Sequence, residues 1–473
     1  MSNLVIFVGI AALVINYIFF TIYGFQIILS RREMKKVKSD RIILSDNLLD
    51  SNSSISRQNS LPLTVVIPAY NEKETIIQSV NSFIQQNYKD LTLYIVNDGS
   101  KDHTMDICIN ELNMKKIDFL EKIGSIETEK VLGFYQSEEY PNIYLINKVN
   151  GGKSDALNVG INYARTPYIS FVDADSFLEK NALLTLMTPF YFSDDIASIG
   201  GLIRPMTRQE NFAQRSIKVR TWNLLTGFQY LEYLRSVLVF RSSLSNIDST
   251  VIISGAFGVY KLDMLREING YDTYSIGEDF DLTLGIRKYI DDHNLSSKQI
   301  FIYDSVCWTQ PPSTIGDLVK QRSRWQIGFL QTIFKYRKMI FNKNYKNVGI
   351  IGLPLFIFTE IISFFMETIG LGLGIYFVMV SVVTWQEAVF VFLLSYFINL
   401  FFTFTVIAQN TKIQRISYLD RIYLLFLAVI EAFSYHWISL YAKLLGTLKF
   451  LFTSKEKKHE WGEIKRNNPD NLV

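Results

Sequence analysis

The sequence predicts an α/β protein in which a domain built on a mostly parallel sheet is flanked by membrane-crossing and interfacial helices. Three observations predict it: short apolar strands alternate with amphipathic helices from Leu61 to about Tyr336, a charge-free stretch runs from Leu4 to Leu29, and long apolar stretches return after Val348. With 48% hydrophobic, 14% aromatic and 20% charged residues, the chain has too much apolar surface to be disordered or fibrous. Its 48 basic and 45 acidic side chains nearly cancel, so bulk charge gives no argument for a nucleic-acid partner. Cys108 and Cys307 lie far apart and the four histidines lack ligand spacing, which argues against a disulfide scaffold and a structural zinc site.

As a helix, Leu4 to Leu29 would rise roughly 39 Å, enough to cross the hydrocarbon core with tilt. Arg31, Arg32, Lys35, Lys36 and Lys38 come directly after it. A secretory signal carries its basic residues in front and ends at a small-residue cleavage site, so this segment reads as a retained anchor. The positive-inside bias then places the chain beyond the anchor in the cytoplasm. The expected organisation is an anchor at 1–30, a basic and Ser/Asn-rich linker at 31–60, an α/β domain at 61–312 and an amphipathic interfacial helix region at 313–347. A membrane region of three or four crossings at 348–453 and a basic cytoplasmic tail at 454–473 complete it. Glu360 and Glu367, seven apart on one helical face, suggest that the first C-terminal apolar block is not wholly lipid-facing; bonds to neighbouring helices and a polar path are both open readings.

Within the α/β domain, Leu63 to Pro68 reads as a strand and Glu74 to Gln86 as a helix; Leu91 to Val96 is a second strand, ending in Asn97, Asp98, Gly99 and Ser100. Asn142 to Ile146 reads as the third strand, Lys153 to Ala164 as a helix, and Tyr168 to Val172 as the fourth strand, ending in Asp173, Ala174 and Asp175. In such sheets ligands bind beyond the carboxyl ends of the strands, so Pro68 to Glu72, Asp98 and Asp173 to Asp175 are expected on one rim. Two carboxylates at i and i+2 after a strand can present oxygens to a hard divalent cation that also binds phosphate; the bland alternative is a strand-end Asp capping the next helix. Asp98 with Gly99 is also ordinary turn chemistry. Asn150, Gly151, Gly152 and Lys153 open a helix where backbone donors and an ammonium favour an anion, although the P-loop and dinucleotide glycine spacings are absent. Val251 to Ser254 reads as a strand and Gly277, Glu278, Asp279 as the entry to a helix over Phe280 to Tyr289. Asp317 to Tyr336 reads as an amphipathic helix carrying Gln321, Arg322, Ser323, Arg324 and Trp325.

The set Asp98-Gly99-Ser100, Asp173-Ala174-Asp175, Gly277-Glu278-Asp279 and Gln321-Arg322-Ser323-Arg324-Trp325 resembles, in order, the membrane-embedded processive family 2 glycosyltransferases, the group of bacterial poly-N-acetylglucosamine, cellulose and hyaluronan synthases. Ile67 to Glu72 and Cys307-Trp308-Thr309 look like the poly-N-acetylglucosamine branch. The resemblance implies a GT-A, Rossmann-like fold and inverting transfer from a UDP-sugar, UDP-N-acetylglucosamine first and UDP-glucose next, to a growing β-linked polymer that is exported. It further implies that Tyr70, Glu72 and Asp98 hold the uridine, with Lys153 near the base or phosphates. Asp173 and Asp175 would serve the nucleotide and its Mg or Mn ion, Asp175 as the more direct ligand. Asp279 would be the general base beside Glu278, and Gln321, Arg324 and Trp325 would border the diphosphate and the acceptor sugar. Expected partners are the UDP-sugar, the glycan acceptor, membrane lipid and an accessory membrane subunit, at a plasma-membrane, multi-pass location with the catalytic domain cytoplasmic. The chain departs from the pattern in a charged insertion, Glu111 to Tyr140, and a long helical stretch, Asn211 to Ser243, either interfacial or packed on the domain. The alternative enzyme transfers one sugar to a lipid or lipid-linked acceptor; a non-enzymatic receptor that keeps the nucleotide-binding fold, or a transporter, is the reading from another class.

Overall fold

Leu63–Ala69 (β1) is a β-branched, apolar run buried along nearly its whole length, which suits a strand covered on both faces. It is central in the sheet of this computed structural model, which describes residues 14–15, 17–35, 60–206, 219–413 and 416–452. The other strands are Leu91–Asp98 (β2), Met114–Ile117 (β3), Val131–Ser137 (β4), Ile143–Lys148 (β5), Tyr168–Phe171 (β6), Ser176–Leu178 (β7), Ile196–Pro205 (β8), Gly258–Lys261 (β9) and Lys298–Thr309 (β10). They form one sheet in the order β3-β4-β5-β2-β1-β6-β9-β8-β10-β7. The expected parallel sheet is its centre, β5-β2-β1-β6, together with the β8–β10 pair. Antiparallel strands flank that centre on both sides, so the sheet as a whole is mixed.

Two departures from the expected strands have local causes. The charged insertion is not structureless: β3 and β4 lie within it and extend the sheet edge beyond β5, making β5 the fifth strand rather than the third. Val251 to Ser254 is buried or nearly so but outside any strand. The Ile253 amide donates to the Thr283 hydroxyl (3.0 Å) instead of to a neighbouring strand. The actual strand comes later, at Gly258.

The first residues of the expected anchor and residues 36–59 of the expected linker fall outside the described residues, and a helix over 17–35 (α1) covers the anchor's second half and the first five residues of the expected linker. The helices of the domain include Ile76–Ile84 (α2), Thr104–Glu111 (α3), Lys153–Tyr163 (α4), Leu224–Tyr233 (α5), Glu278–Asp292 (α6) and Ile315–Lys335 (α7). Of the long stretch Asn211 to Ser243, residues 219–243 are described, and their helical part is chiefly α5 and its wider-wound continuation Leu234–Arg241. This segment packs Phe228, Leu231 and Leu238 among Leu202, Tyr303 and Trp308 of the sheet and Ile27, Val406 and Leu424 of apolar helices. It is a layer between the sheet and those helices.

Val348–Met379 and Trp385–Thr411 are long and apolar enough to cross a membrane, and Tyr418–Glu431 with Tyr435–Phe452 makes a third span if that pair, bent by 57°, is one crossing. We name the helices Ser363–Met379 (α8), Trp385–Ile413 (α9), Tyr418–Glu431 (α10) and Tyr435–Phe452 (α11). Glu360 pairs with Lys443 (3.0 Å), and Glu367 pairs with His436, so both acids are bonded to α11. The helix α7 packs along the same α11: Ser323 Oγ donates to the Ala442 carbonyl (2.9 Å) and Gln326 to Thr447 (3.3 Å).

Gly277, before α6, and Gly328, in α7, touch backbone to backbone. A Cβ on Gly328 would lie 2.7 Å from the Gly277 nitrogen and 2.8 Å from its Cα, and neither can rotate away. Replacing Gly328 with Val is therefore expected to cost about 1–3 kcal/mol, read as a lower melting temperature.

Candidate active site

The loop after β1 is fastened to the loop after β2. Asn71 adopts a left-handed backbone (φ 58°), accessible to Asn at small cost. Its side-chain oxygen accepts from the Lys101 amide (2.8 Å), its own amide donates to Ser100 (3.1 Å), and the Glu72 amide donates to Thr104 (2.8 Å). Tyr70 and Glu72 are thereby held beside the Asp98-Gly99-Ser100 turn, both partly exposed.

Asp98 is 2% exposed and accepts four hydrogen bonds. Oδ1 accepts from Lys148 and from the Gly151 amide (3.0 Å), and Oδ2 from Asn150 (3.1 Å) and the Gly152 amide (2.8 Å). The anion drawn to the start of α4 is thus the protein's own carboxylate. Burial pushes the Asp98 carboxyl up from its ordinary range, with Lys148 and the two amides opposing. Lys148 was not anticipated by sequence reasoning. It is 0% exposed, bonds Asp98, and lies 2.7 Å from Asp155 in the first turn of α4. The signal for it is register: the parallel pairing of β2 and β5 sets Asp98 opposite Lys148, and aligning the two strand ends would have found the pair.

The first residue of α4 crosses to the other half of the rim. Lys153 Nζ lies 2.7 Å from Asp173 and 3.0 Å from Glu278. Burial works against its charge, but Asp173 and then Glu278 outweigh burial and raise its pKa. Glu278 is itself held below the usual carboxylate range, because Lys153 and then Arg324 overcome the larger burial effect. Arg324 of α7 is thereby in electrostatic reach of the same cluster. Asp279 accepts from the Gly255 amide (3.2 Å) and from the Phe280 amide (2.8 Å). A Cβ on Gly255 would sit 3.3 Å from the Asp279 Cβ, 3.6 Å from Lys153 Nζ and 3.8 Å from Glu278 Oε1, so glycine leaves the space in which these groups meet. Burial first, and then the Glu278 charge, raise the Asp279 carboxyl above its ordinary range. Arg241, at the end of the segment after α5, lies in electrostatic reach of Asp279 and was also not anticipated.

Asp175 is 5% exposed, just before β7, and β7 pairs with the Cys307 to Thr309 end of β10. Among the described residues no group of three or more His, Cys, Asp or Glu side chains surrounds a common point. The pair Asp173 and Asp175 fits Mg or Mn, which retain waters and take phosphate oxygens alongside one or two carboxylates. On α7, Gln321 accepts from Arg322 (2.8 Å), and the Arg322 guanidinium lies over the Trp325 ring at 4.0 Å. A single run of contacts therefore goes from Asp98 through Gly151, Gly152 and Lys153 to Asp173 and Glu278, with Arg324 in electrostatic reach of Glu278. Gln321 and Trp325 are carried on the same helix as Arg324, and Tyr70 follows β1 on the loop bonded to the Gly99-Ser100 turn.

Residues 168–407 match the family described as Glycosyl transferase family group 2, and residues 64–119 match Glycosyl transferase family 2. The chain is 25% identical over 266 residues to the poly-beta-1,6-N-acetyl-D-glucosamine synthase of Staphylococcus epidermidis, covering 56% of this chain and 54% of that protein. It is 24% identical over 266 residues to the synthase of the same name from Staphylococcus aureus strain COL, with the same shares. The chain thus spans about half the length of the curated relatives it matches. The mannosyltransferase PcManGT from Pyrobaculum calidifontis, solved with GDP-Man and Mn2+, has a TM-score of 0.52 at 14% identity, covering 95% of this chain and 99% of that one, which shows a common fold. With its GT-A sheet and a family match running from β6 into the second apolar span, the protein belongs to Glycosyl transferase family group 2 and is a family 2 glycosyltransferase.

Proposed function

We propose that the protein transfers a sugar from a UDP-sugar, UDP-N-acetylglucosamine in preference to UDP-glucose, to the end of a growing β-linked polysaccharide, with inversion, and passes the polymer across the membrane. The observation that carries this reading is the meeting of Lys153, Asp173, Glu278 and Asp279 at Gly255, beside Arg324 of the motif helix. The names of the relatives from both Staphylococcus species support the donor and the polymer. Helix α7 lying along α11 supports synthesis at the membrane surface, with a multi-pass protein holding its catalytic domain in the cytoplasm.

In this reading Asp279 accepts the proton of the acceptor hydroxyl as that oxygen attacks the anomeric carbon. The bond to the diphosphate breaks in the same step and UDP leaves with the electron pair, so no carboxylate nucleophile is needed. Lys153 and Arg324 face the charge that grows on the leaving group, an effect of several kcal/mol in a site shielded from water. Asp175 and Asp173 would hold Mg or Mn, which adds further positive charge beside the diphosphate when bound. Asp98 and Lys148 fix the turn against which Tyr70 and Glu72 hold the uridine. Trp325 offers an apolar face for a sugar ring.

The test is purified protein in lipid, offered individual UDP-sugars with Mg or Mn, with UDP release measured and products sized. Turnover with UDP-N-acetylglucosamine and a long product is expected. No turnover with any donor would remove the enzymatic reading, and short products alone would assign the protein to single transfer onto a lipid-linked acceptor.

A further inference from the structure

Arg322 is the second residue of the Gln321 to Trp325 motif, yet it faces inward, 3% exposed, and not toward the rim. Its guanidinium makes three contacts at once. One Nη lies 2.6 Å from Glu232 of α5, the other donates to Gln321 Oε1 (2.8 Å), and the guanidinium carbon lies 4.0 Å from the centre of the Trp325 ring. Glu232 accepts a second hydrogen bond at the same oxygen, from Tyr435 (2.5 Å), the first residue of α11 beyond the bend after α10.

From this we infer that Arg322 is the positioning residue that sets Gln321 and Trp325 against the acceptor, from a base formed by Glu232 and Tyr435. The inference rests on the functional reading above, in which those two residues border the acceptor sugar. A planar, permanently charged fork can pair with a carboxylate, bond an amide and stack on an indole simultaneously, whereas an ammonium is a point charge that cannot cover a ring in the same way. Because Arg322 occupies Gln321 Oε1, the amide presents its N–H donors outward, toward a hydroxyl or ring oxygen of a sugar. Trp325 is stacked on one face by the guanidinium, so the ring is fixed in orientation and its remaining surface serves the acceptor. Glu232 keeps the buried charge from being unpaired, and Tyr435 ties that carboxylate to the apolar helices. One group therefore fixes the sugar-binding pair relative to both the sheet layer and the membrane region.

The experiment uses full-length protein in lipid nanodiscs, with UDP-N-acetylglucosamine as donor and a β-linked N-acetylglucosamine oligosaccharide as acceptor. Arg322→Lys is expected to raise the acceptor KM by about tenfold while the donor KM and the UDP affinity stay within about twofold. Glu232→Asp keeps the charge but draws the carboxylate back, and should shift the acceptor KM in the same direction by a smaller factor, which carries the test should Arg322→Lys fail to fold. A purely structural role would move kcat, donor KM and acceptor KM together. An unchanged acceptor KM, or equal rises for donor and acceptor, overturns the assignment of Arg322 while wild-type turnover continues. Absence of turnover by the wild type overturns the functional reading and this inference with it.

Discussion

Asp279→Asn is expected to lower the transfer rate by roughly two to four powers of ten, the usual worth of a positioned base, while UDP affinity measured by calorimetry stays within about threefold. The two effects separate because the nucleotide-side groups do not depend on Asp279: Lys153 bonds Asp173 and Glu278, and Asp98 is held by Lys148, Asn150, Gly151 and Gly152. Asn keeps the shape of the side chain and one acceptor oxygen, and loses the second acceptor, which serves the Gly255 or the Phe280 amide, together with the capacity to take a proton. Lost UDP affinity in the variant would contradict the assignment of Asp279 as base. The pH profile gives a second, independent reading. Burial, and after it the Glu278 charge, raise the Asp279 carboxyl. A base works only when ionised, so the rate falls as pH falls through that raised pKa, and the acid limb lies above the ordinary Asp range near 4. Glu278→Gln removes one of the two causes, so its acid limb is expected to move to lower pH; a limb that stays in place would mean that another group titrates.

The parts of the fold that could be read in advance are those in which a strand ends in chemistry. β1, β2 and β6 are apolar runs succeeded by Tyr70 to Glu72, Asp98 and Asp173 to Asp175, and the sheet's central parallel order brings those ends to one rim. The helices carrying Glu278 to Asp279 and Gln321 to Trp325 start within two residues of their expected positions. What escaped depends on pairing between distant segments. The strand β3 is short and half lysine, and β4, although seven residues long, is partly exposed and broken by Gly133 within a charged stretch; both find their place because β5 leaves an edge on which to pair. Val251 to Ser254 has the composition of a strand, but the Ile253 amide, and the Gly255 amide just beyond the segment, are engaged by α6. Glu232 and Arg322 look like solvated charges on amphipathic helices, and only the packing of α5, α7 and α11 around one point makes them a buried pair.

The largest stability loss is expected from Lys148→Met, at about 3–5 kcal/mol, which for a domain of this size lowers the melting temperature by roughly 10 °C. The ammonium is fully buried between Asp98 and Asp155, so removing it leaves two carboxylates, 2% and 5% exposed, without a cation. Removing one acid is less severe: Asp155→Asn leaves the pair of Lys148 with Asp98 intact and costs the Glu129 amide little, since an amide oxygen can still accept its bond. The expected order is therefore Lys148→Met well below Asp155→Asn, with Asp155→Asn nearer the wild type. Acidity supplies the discriminating measurement. Burial already raises the folded-state pKa of Asp98 with the ammonium present, and it raises it further without one. A carboxyl whose folded pKa lies above its unfolded value binds more protons in the fold, so its contribution to stability improves as pH falls and worsens as pH rises through that window. The deficit of Lys148→Met relative to wild type should accordingly shrink as pH is lowered from neutrality into the mildly acidic range, as protonation relieves the Asp98 carboxylate. A deficit that is constant across that range would mean the loss comes from the lost packing of the lysine stem, and equal costs for Lys148→Met and Asp155→Asn would mean that one ammonium does not serve both carboxylates. Because Asp98 also receives the Gly151 and Gly152 amides, the same substitution should loosen the start of α4, and with it the reach of Lys153 to Asp173, so UDP affinity should fall along with stability.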